Sequence, residues 1–248
     1  MVSENPMASE KATTSPDRLI GRRKRSTTTR AGVALSAEVI VDAALRLIDA
    51  RGPQALSVRN LGAELKADPT AIYRYFRNVD DLLLAVAERL IGDALTEIDP
   101  AADWLTRLRD LAVRGHRAYL AHPKVALLVA ARTTGRGHEL KMVDTILAAF
   151  ASAGFTVAAA VRHYRAYADF VLAFSAFDAA SAALSPQTQE RDRSAWSQTY
   201  AQVDADVCPA IAEAGPELVA QAGLSTFETT LDLLLASFAA QAPPSAKG

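Results

Sequence analysis

The chain has 248 residues, half of them hydrophobic, with one cysteine and a formal net charge of −1. That length holds one large core or two domains, and a lone cysteine excludes an internal disulfide and a multi-cysteine metal site within one chain. No run of about 18 uncharged apolar residues occurs, and the opening MVSENPMASEKATTSPDRL lacks the apolar centre of a secretory signal, so a soluble protein of the reducing cytoplasm, with no membrane partner, is expected.

The near-neutral total conceals an uneven distribution. Residues 18–77 carry twelve Lys/Arg against five Asp/Glu, whereas residues 78–248 carry fourteen against twenty. A basic head on an acidic body suggests that the head meets a polyanion. Residues 1–17 are Ser, Thr, Pro and Glu with few large apolar groups, too little to offset the entropy of ordering. The following RLIGRRKRSTTTRAG places six Arg/Lys and no acid between Arg18 and Arg30. It reads as a flexible basic arm, with Arg22, Arg23, Lys24 and Arg25 as its densest part, and residues 1–30 as a disordered tail.

From Ser36, Ile40, Ala43, Ala44, Leu47 and Ile48 recur at helical spacing until Gly52 and Pro53 stop the run. Ser57 can cap a second, shorter helix through Leu61 and Leu65, and a break at Lys66-Ala67 leads to Asp68, a third cap, with Pro69 at the first helical position. That third helix is expected to span about eight residues. Past Arg77 and Asn78, VDDLLLAVAERLIGDALTEI predicts a long amphipathic helix with Asp80 and Asp81 at its positive end. Further helices are expected at about 103–121, 123–134, 138–153, 156–184, 189–213 and 223–241, with breaks at Pro123, Gly135/Gly137, Gly154, Pro186 and Gly215-Pro216. No alternating strand pattern stands out, so the fold class is all-α.

One longer helix followed by two short ones across a tight turn is the layout of a helix-turn-helix, whose last helix enters the DNA major groove. Ile72 and Phe76, four apart, can hold that helix to the core, leaving Thr70, Ala71, Tyr73 and Arg74 outward. Small Thr and Ala admit close approach to base edges, and Tyr and Arg reach phosphate or guanine. Tyr75 can serve either that surface or packing on the first or fourth helix.

The stretch LSVRNLGAELKADPTAIYRYFRNVDDLLLAV resembles the DNA-binding domain of the TetR family of bacterial transcriptional regulators, in detail over about 36–85. The resemblance implies a DNA-contacting surface of Ser57, Arg59, Pro69, Thr70, Ala71, Tyr73, Arg74 and Tyr75, in a head covering residues 31–82. Many members carry a lysine just after the turn; Val79 stands there, and Arg77 is near enough to replace it. The resemblance also implies that 83–248 form a helical domain that dimerises and encloses a ligand pocket.

The body supports two buried surfaces by itself. Tyr167, Phe170, Phe174 and Phe177 mark one face of 156–184, Ala168, Leu172, Ser175 and Ala179 another, and Phe227, Leu231, Leu234, Leu235 and Phe238 repeat along the last helix. These two helices, 156–184 and 223–241, are candidates for a four-helix interface between two copies. HPKVALLVAARTTGRGHELKMVDTILAAFASAGF resembles the tetracycline-repressor branch, without a histidine in LLVAART, so magnesium-tetracycline chemistry is not implied and a different effector is expected. Trp104, His116, Tyr119, Leu128, Met142, Ile146, Phe170 and Phe174 are the pocket candidates; the aromatic stripe and His116 also read as ordinary core.

The four histidines form no His-Glu-x-x-His pattern, and no phosphate-binding Gly loop or nucleophile elbow is present. No catalytic residue, cofactor or metal is assigned. The reading is a ligand-responsive homodimeric repressor of a palindromic operator, in which ligand displaces the fourth helix; the alternative is a dimeric DNA-binding protein without an effector. Deleting residues 1–30 should weaken DNA binding and flatten its dependence on salt, because an Arg-rich arm adds phosphate contacts. An unchanged slope in binding assays across salt concentrations would remove the arm from the mechanism.

Overall fold

A computed structural model describes residues 27–28 and 34–244. The arm residues Arg22, Arg23, Lys24 and Arg25 lie outside the described residues. The expected all-α class is observed, with one small addition: β1 (Thr27–Thr28) pairs antiparallel with β2 (Ala34–Leu35).

Helix α1 (Ala37–Arg51) begins where Ser36 Oγ accepts the Val39 N–H at 3.2 Å, and it stops at Gly52, whose positive φ of 86° turns the chain while its N–H returns to Ile48 O. A 3-10 turn, Pro53–Ala55, leads to α2 (Val58–Glu64), capped by Ser57 Oγ on the Asn60 N–H. The chain leaves α2 through Lys66 in the left-handed region, at φ 50°.

The expected third α-helix is a 3-10 helix, Pro69–Arg74. Its six residues are too few to propagate an α-helix, and i to i+3 bonds close it at each end, from Ala71 N to Asp68 O and from Tyr75 N to Ile72 O. It packs tightly on α2. A Cβ added at Gly62 would stand 2.8 Å from Pro69 Cγ and 3.1 Å from Ala67 O, so only a glycine fits between the two elements.

Asn78 caps α3 (Val79–Leu95) through the Asp81 N–H. Then follow α4 (Trp104–Ala121), α5 (Pro123–Val129), α6 (Gly137–Ser152) and α7 (Val157–Ala182). The helix expected at 189–213 is two: α8 (Pro186–Ala201), started by Ser185 and Pro186, and α9 (Pro209–Ala220). The expected break at Gly215-Pro216 is absent, because Pro216 sits within α9. That helix lies at the surface with only Gly215 buried, where solvent can satisfy the carbonyl that a proline leaves without a donor. Helix α10 (Phe227–Gln241) closes the chain. Among the described residues no single helix is long and apolar enough to cross a membrane.

Two apolar clusters hold these elements. One joins Leu35, Ile40, Ile48, Leu61, Ile72 and Phe76 of the head to Leu82, Val86 and Leu90 of α3 and to Val125 and Val129 of α5. The other joins Leu108 and Leu111 of α4, Phe150 of α6, Tyr167 and Val171 of α7 and Leu231, Leu235 and Phe238 of α10. Each fully buried Leu, Ile or Phe contributes about 2 kcal/mol relative to exposure. Helix α3 feeds the first cluster with its early turns, and its last turn reaches the second, against which Leu95 packs.

Gly62→Ala should overpack the junction of α2 and the 3-10 helix and cost about 1–3 kcal/mol, outweighing the better helix propensity of alanine. A thermal melt should show the midpoint lowered by several degrees; an unchanged midpoint would mean that the 3-10 helix yields freely.

Candidate DNA interface and enclosed cavity

The tip of the head is built from α2, the Lys66 turn and the 3-10 helix. Arg59, Gly62, Ala63, Lys66, Ala67, Asp68 and Pro69 line one shallow groove there. Beside it Thr70, Tyr73 and Arg74 are exposed, Tyr73 to 56%. An exposed tyrosine of that extent has no packing reason to be there, and the exposed tip also carries Arg59, Lys66 and Arg74 together with the acids Glu64 and Asp68.

Asp68 is itself committed. Its Oδ1 accepts the backbone N–H and the hydroxyl of Thr70, both at 2.8 Å, and these bonds, the hydroxyl first, hold its carboxyl below the ordinary carboxylate range. Thr70 is thereby fixed at the start of the 3-10 helix. Ser57, in capping α2, accepts a bond and keeps its own hydroxyl proton to donate.

One expectation for this surface is corrected, and Tyr75, left between two roles, takes the packing one. Ala71, expected outward, is 8% exposed and packs in the head core beside Ile72, because its side chain is a single methyl that the neighbouring core residues can cover. Tyr75 is half-buried against the same core, and its hydroxyl donates to the Leu35 carbonyl. It ties the 3-10 helix to the segment before α1. Lys66 is the addition: its position in a helix-to-turn break hid it, although an exposed lysine between two caps was a readable signal.

The reader turn exits into Arg77, whose backbone N–H donates to Asp81 Oδ2 at 2.9 Å and whose guanidinium lies 3.5 Å from the same oxygen. Asp81 Oδ1 accepts from Arg136 at 2.7 Å, and Arg136 also donates to the Asp81 carbonyl at 2.9 Å. The Arg77 N–H, first among these donors, keeps the Asp81 carboxyl below its usual range. Two turns on, Glu88 of α3 accepts the His138 N–H at 2.5 Å and the Glu139 N–H at 3.3 Å, and Arg132 pairs with Asp80 at 2.9 Å. The segment from Arg132 to Glu139 is thus bonded along α3. A second tie joins α1 to α5, with His122 Nδ1 2.6 Å from Asp49 Oδ2 and Lys124 Nζ donating to the Asp49 carbonyl at 2.6 Å.

Behind that segment lies a cavity of about 120 Å³. Its walls are Leu90, Ile91 and Ala94 of α3, Leu111, Gly115 and Tyr119 of α4, Met142, Val143 and Ile146 of α6, and Tyr164, Tyr167, Ala168, Val171 and Leu172 of α7. Arg132 and Glu139 close one end. Burial drives the Tyr119 phenol up to about 12 and the Tyr167 phenol far above its ordinary range, and Tyr167 donates to the Leu108 carbonyl at 2.7 Å.

Three of the eight expected pocket residues, Tyr119, Met142 and Ile146, line this cavity. The other five are placed elsewhere. Trp104 packs against Phe150 and Phe155, with centroids 6.1 and 6.0 Å away. His116 is stacked 3.9 Å from Phe227 and bonded to Asp178 at 2.8 Å, so it staples α4 to α7 and α10. Phe170 and Phe174 pack with Phe227, and Leu128 lies against the head cluster. Their spacing told that they share a face; it did not tell which neighbour that face meets. Arg132 and Glu139 were missed, since polar residues in loops and helix starts carry no periodic signal, and Tyr164 was missed because it falls outside the Tyr167–Phe170–Phe174 stripe of α7.

A helix-turn-helix head bonded through its exit helix to a helical body with an internal cavity defines a class of DNA-binding regulators. Residues 40–86 match the profile of the TetR family of bacterial regulatory proteins, and residues 98–242 match that of the tetracyclin repressor-like C-terminal domain. The chain belongs to the TetR family. Similar proteins include the tetracycline repressor protein class C of Escherichia coli, 28% identical over 204 residues, 81% of this chain and 89% of that protein. An HTH-type transcriptional regulator of Saccharopolyspora erythraea is 29% identical over 121 residues, 49% of this chain, and the match spans about half (51%) of its own length. A crystal structure of a possible TetR family regulator from Streptomyces coelicolor superposes with a TM-score of 0.67 at 26% identity, covering 83% of this chain and all of that one.

Tyr73→Ala should leave stability within about 0.5 kcal/mol while weakening binding to a selected DNA site about tenfold. Tyr75→Phe should do the reverse, lowering stability by about 1 kcal/mol through the unpaired Leu35 carbonyl. Melts and gel shifts on the two proteins check the assignment; equal effects on DNA binding would reject it.

Proposed function

We propose that the chain is a homodimeric transcriptional repressor that grips a palindromic DNA operator and lets go when a small molecule occupies the cavity. The observation that carries this reading is the Arg132–Glu139 segment, which supplies both the polar end of the cavity and the partners of Asp80, Asp81 and Glu88 on α3. Helix α3 starts at the exit of the DNA-facing turn and also walls the cavity. A cavity of about 120 Å³ is smaller than the roughly 300–1,000 Å³ of most ligand sites, so a larger ligand enters only by moving a wall, and α3 is a wall. The name of the E. coli relative, a repressor, supports repression over activation.

Dimerisation is supported by the outer faces of α7 and α10, where Val161, Phe177 (72% exposed) and Leu233 stand open to solvent. Apolar faces of that kind fit a four-helix contact between two copies, and a two-fold pair of heads would set its readers about 34 Å apart, one turn of DNA. The DNA-facing residues proposed are Ser57, Arg59, Lys66, Pro69, Thr70, Tyr73, Arg74 and Arg77, with the basic arm beside them.

The ligand shifts the heads only by as much as it prefers the moved state. A thermal-shift screen, followed by release of the bound DNA site, tests for an effector; an absence of any releasing compound would favour a body that serves dimerisation alone. With a releasing compound in hand, Arg136→Ala should leave its affinity for the free protein within about threefold but raise the concentration needed for release about tenfold or more, by cutting the body's hold on Asp81. A release curve superimposable on that of the unaltered protein would reject this route of coupling.

A further inference from the structure

The cavity is lined by a carboxylate one of whose oxygens has no bonded partner among the described residues. Glu139, at the start of α6, accepts three bonds on Oε2, from the N–H groups of Thr134 (2.6 Å) and Gly135 (2.7 Å) and from the Thr134 hydroxyl (2.6 Å). These fix the side chain in place. Among the described residues no group donates to its Oε1, and the side chain lines the cavity.

Tyr119 stands on the same wall and is only 5% exposed, yet among the described residues its hydroxyl forms no hydrogen bond. Its oxygen is not sealed in, so a molecule in the cavity can bond to it. Burial raises the Tyr119 and Tyr164 phenols, and the negative charge of Glu139 adds to both shifts, which sets the carboxylate within electrostatic reach of the two rings. The cation of this wall, Arg132, is already paired with Asp80 at 2.9 Å. Among the described residues no cation is bonded to Glu139 Oε1.

We infer that the cavity takes an apolar molecule bearing a protonated amine, its ammonium between Glu139 Oε1 and the hydroxyls and ring faces of Tyr119 and Tyr164, its apolar part against Leu90, Ile146 and Val171. An ammonium group offers donors to both the carboxylate and the phenol oxygens, and aromatic faces attract a cation. An anionic ligand would meet Glu139 across a medium that screens charge poorly. A plain hydrocarbon would leave Oε1 and the Tyr119 hydroxyl buried without partners. This inference rests on the reading of the cavity as the effector site and names the chemistry of that effector.

The test is calorimetric titration of the full chain near neutral pH with phenylbutylamine, phenylbutanol and phenylbutyrate, run beside DNA release. The amine should bind at least about tenfold more tightly than the alcohol, with no binding of the carboxylate. Glu139→Gln should cancel that preference by weakening the amine about tenfold while leaving the alcohol unchanged. Tyr119→Phe, which leaves the Thr134 and Gly135 bonds intact, should weaken the amine several-fold and keeps the test available if the glutamine variant melts early. Equal or tighter binding of the alcohol or the carboxylate, or no binding of the amine at millimolar concentration, would overturn the inference. Amine binding without DNA release would leave the ligand class standing and overturn the effector reading; DNA release by other compounds with the amine inert would do the opposite.

Discussion

The carboxylate of Asp81, 14% exposed, is where the molecule is joined. One of its oxygens receives the backbone N–H that ends the DNA-facing turn, and the other receives the Arg136 guanidinium from the segment before α6. These donors hold the carboxyl below its ordinary range, the Arg77 N–H first, so removing one costs part of the stability it lends. The position of Arg136 is therefore felt at the exit of the reader, and a movement of the segment carrying Arg136 leaves Asp81 with Arg77 as its remaining cation. Few other contacts in the fold would transmit a displacement at so small a distance from DNA.

The rest of the junction explains why the head cannot simply drift. The apolar cluster of the head continues without interruption into α3 and α5, and Asp49 holds His122 and Lys124 at the α1–α5 boundary. Close-packed interiors shift between discrete arrangements and do not deform smoothly. A ligand that pushes on Leu90, Ile91 or Ala94 thus acts on a helix whose other end is bolted to the reader, and the coupling needs no longer path.

Much of this was readable from residues. Ser36, Ser57 and Asp68 each fall just before an apolar run and each caps the element expected of it, because a side-chain oxygen at that place satisfies an otherwise orphaned N–H whatever the surroundings. The pairing of Ile72 with Phe76 as core anchors also held. The 189–213 region failed for the opposite reason. Helix α8 has no buried residue and α9 has only Gly215, so no apolar stripe marked where one ended and the other began, and Pro216 drew a boundary where the chain keeps turning.

The sequence by itself determined the helical class, the helix-turn-helix head, the caps and the charge division between head and body, all of which depend on neighbours a few residues apart. Tertiary structure alone decided that Ala71 and Tyr75 turn inward, that His116 staples three helices, and that Arg132, Glu139 and Tyr119 meet around one cavity. Those outcomes depend on which faces come together across 20 to more than 100 residues of chain, and helical periodicity states only that a face exists. It carries no information about the face opposite.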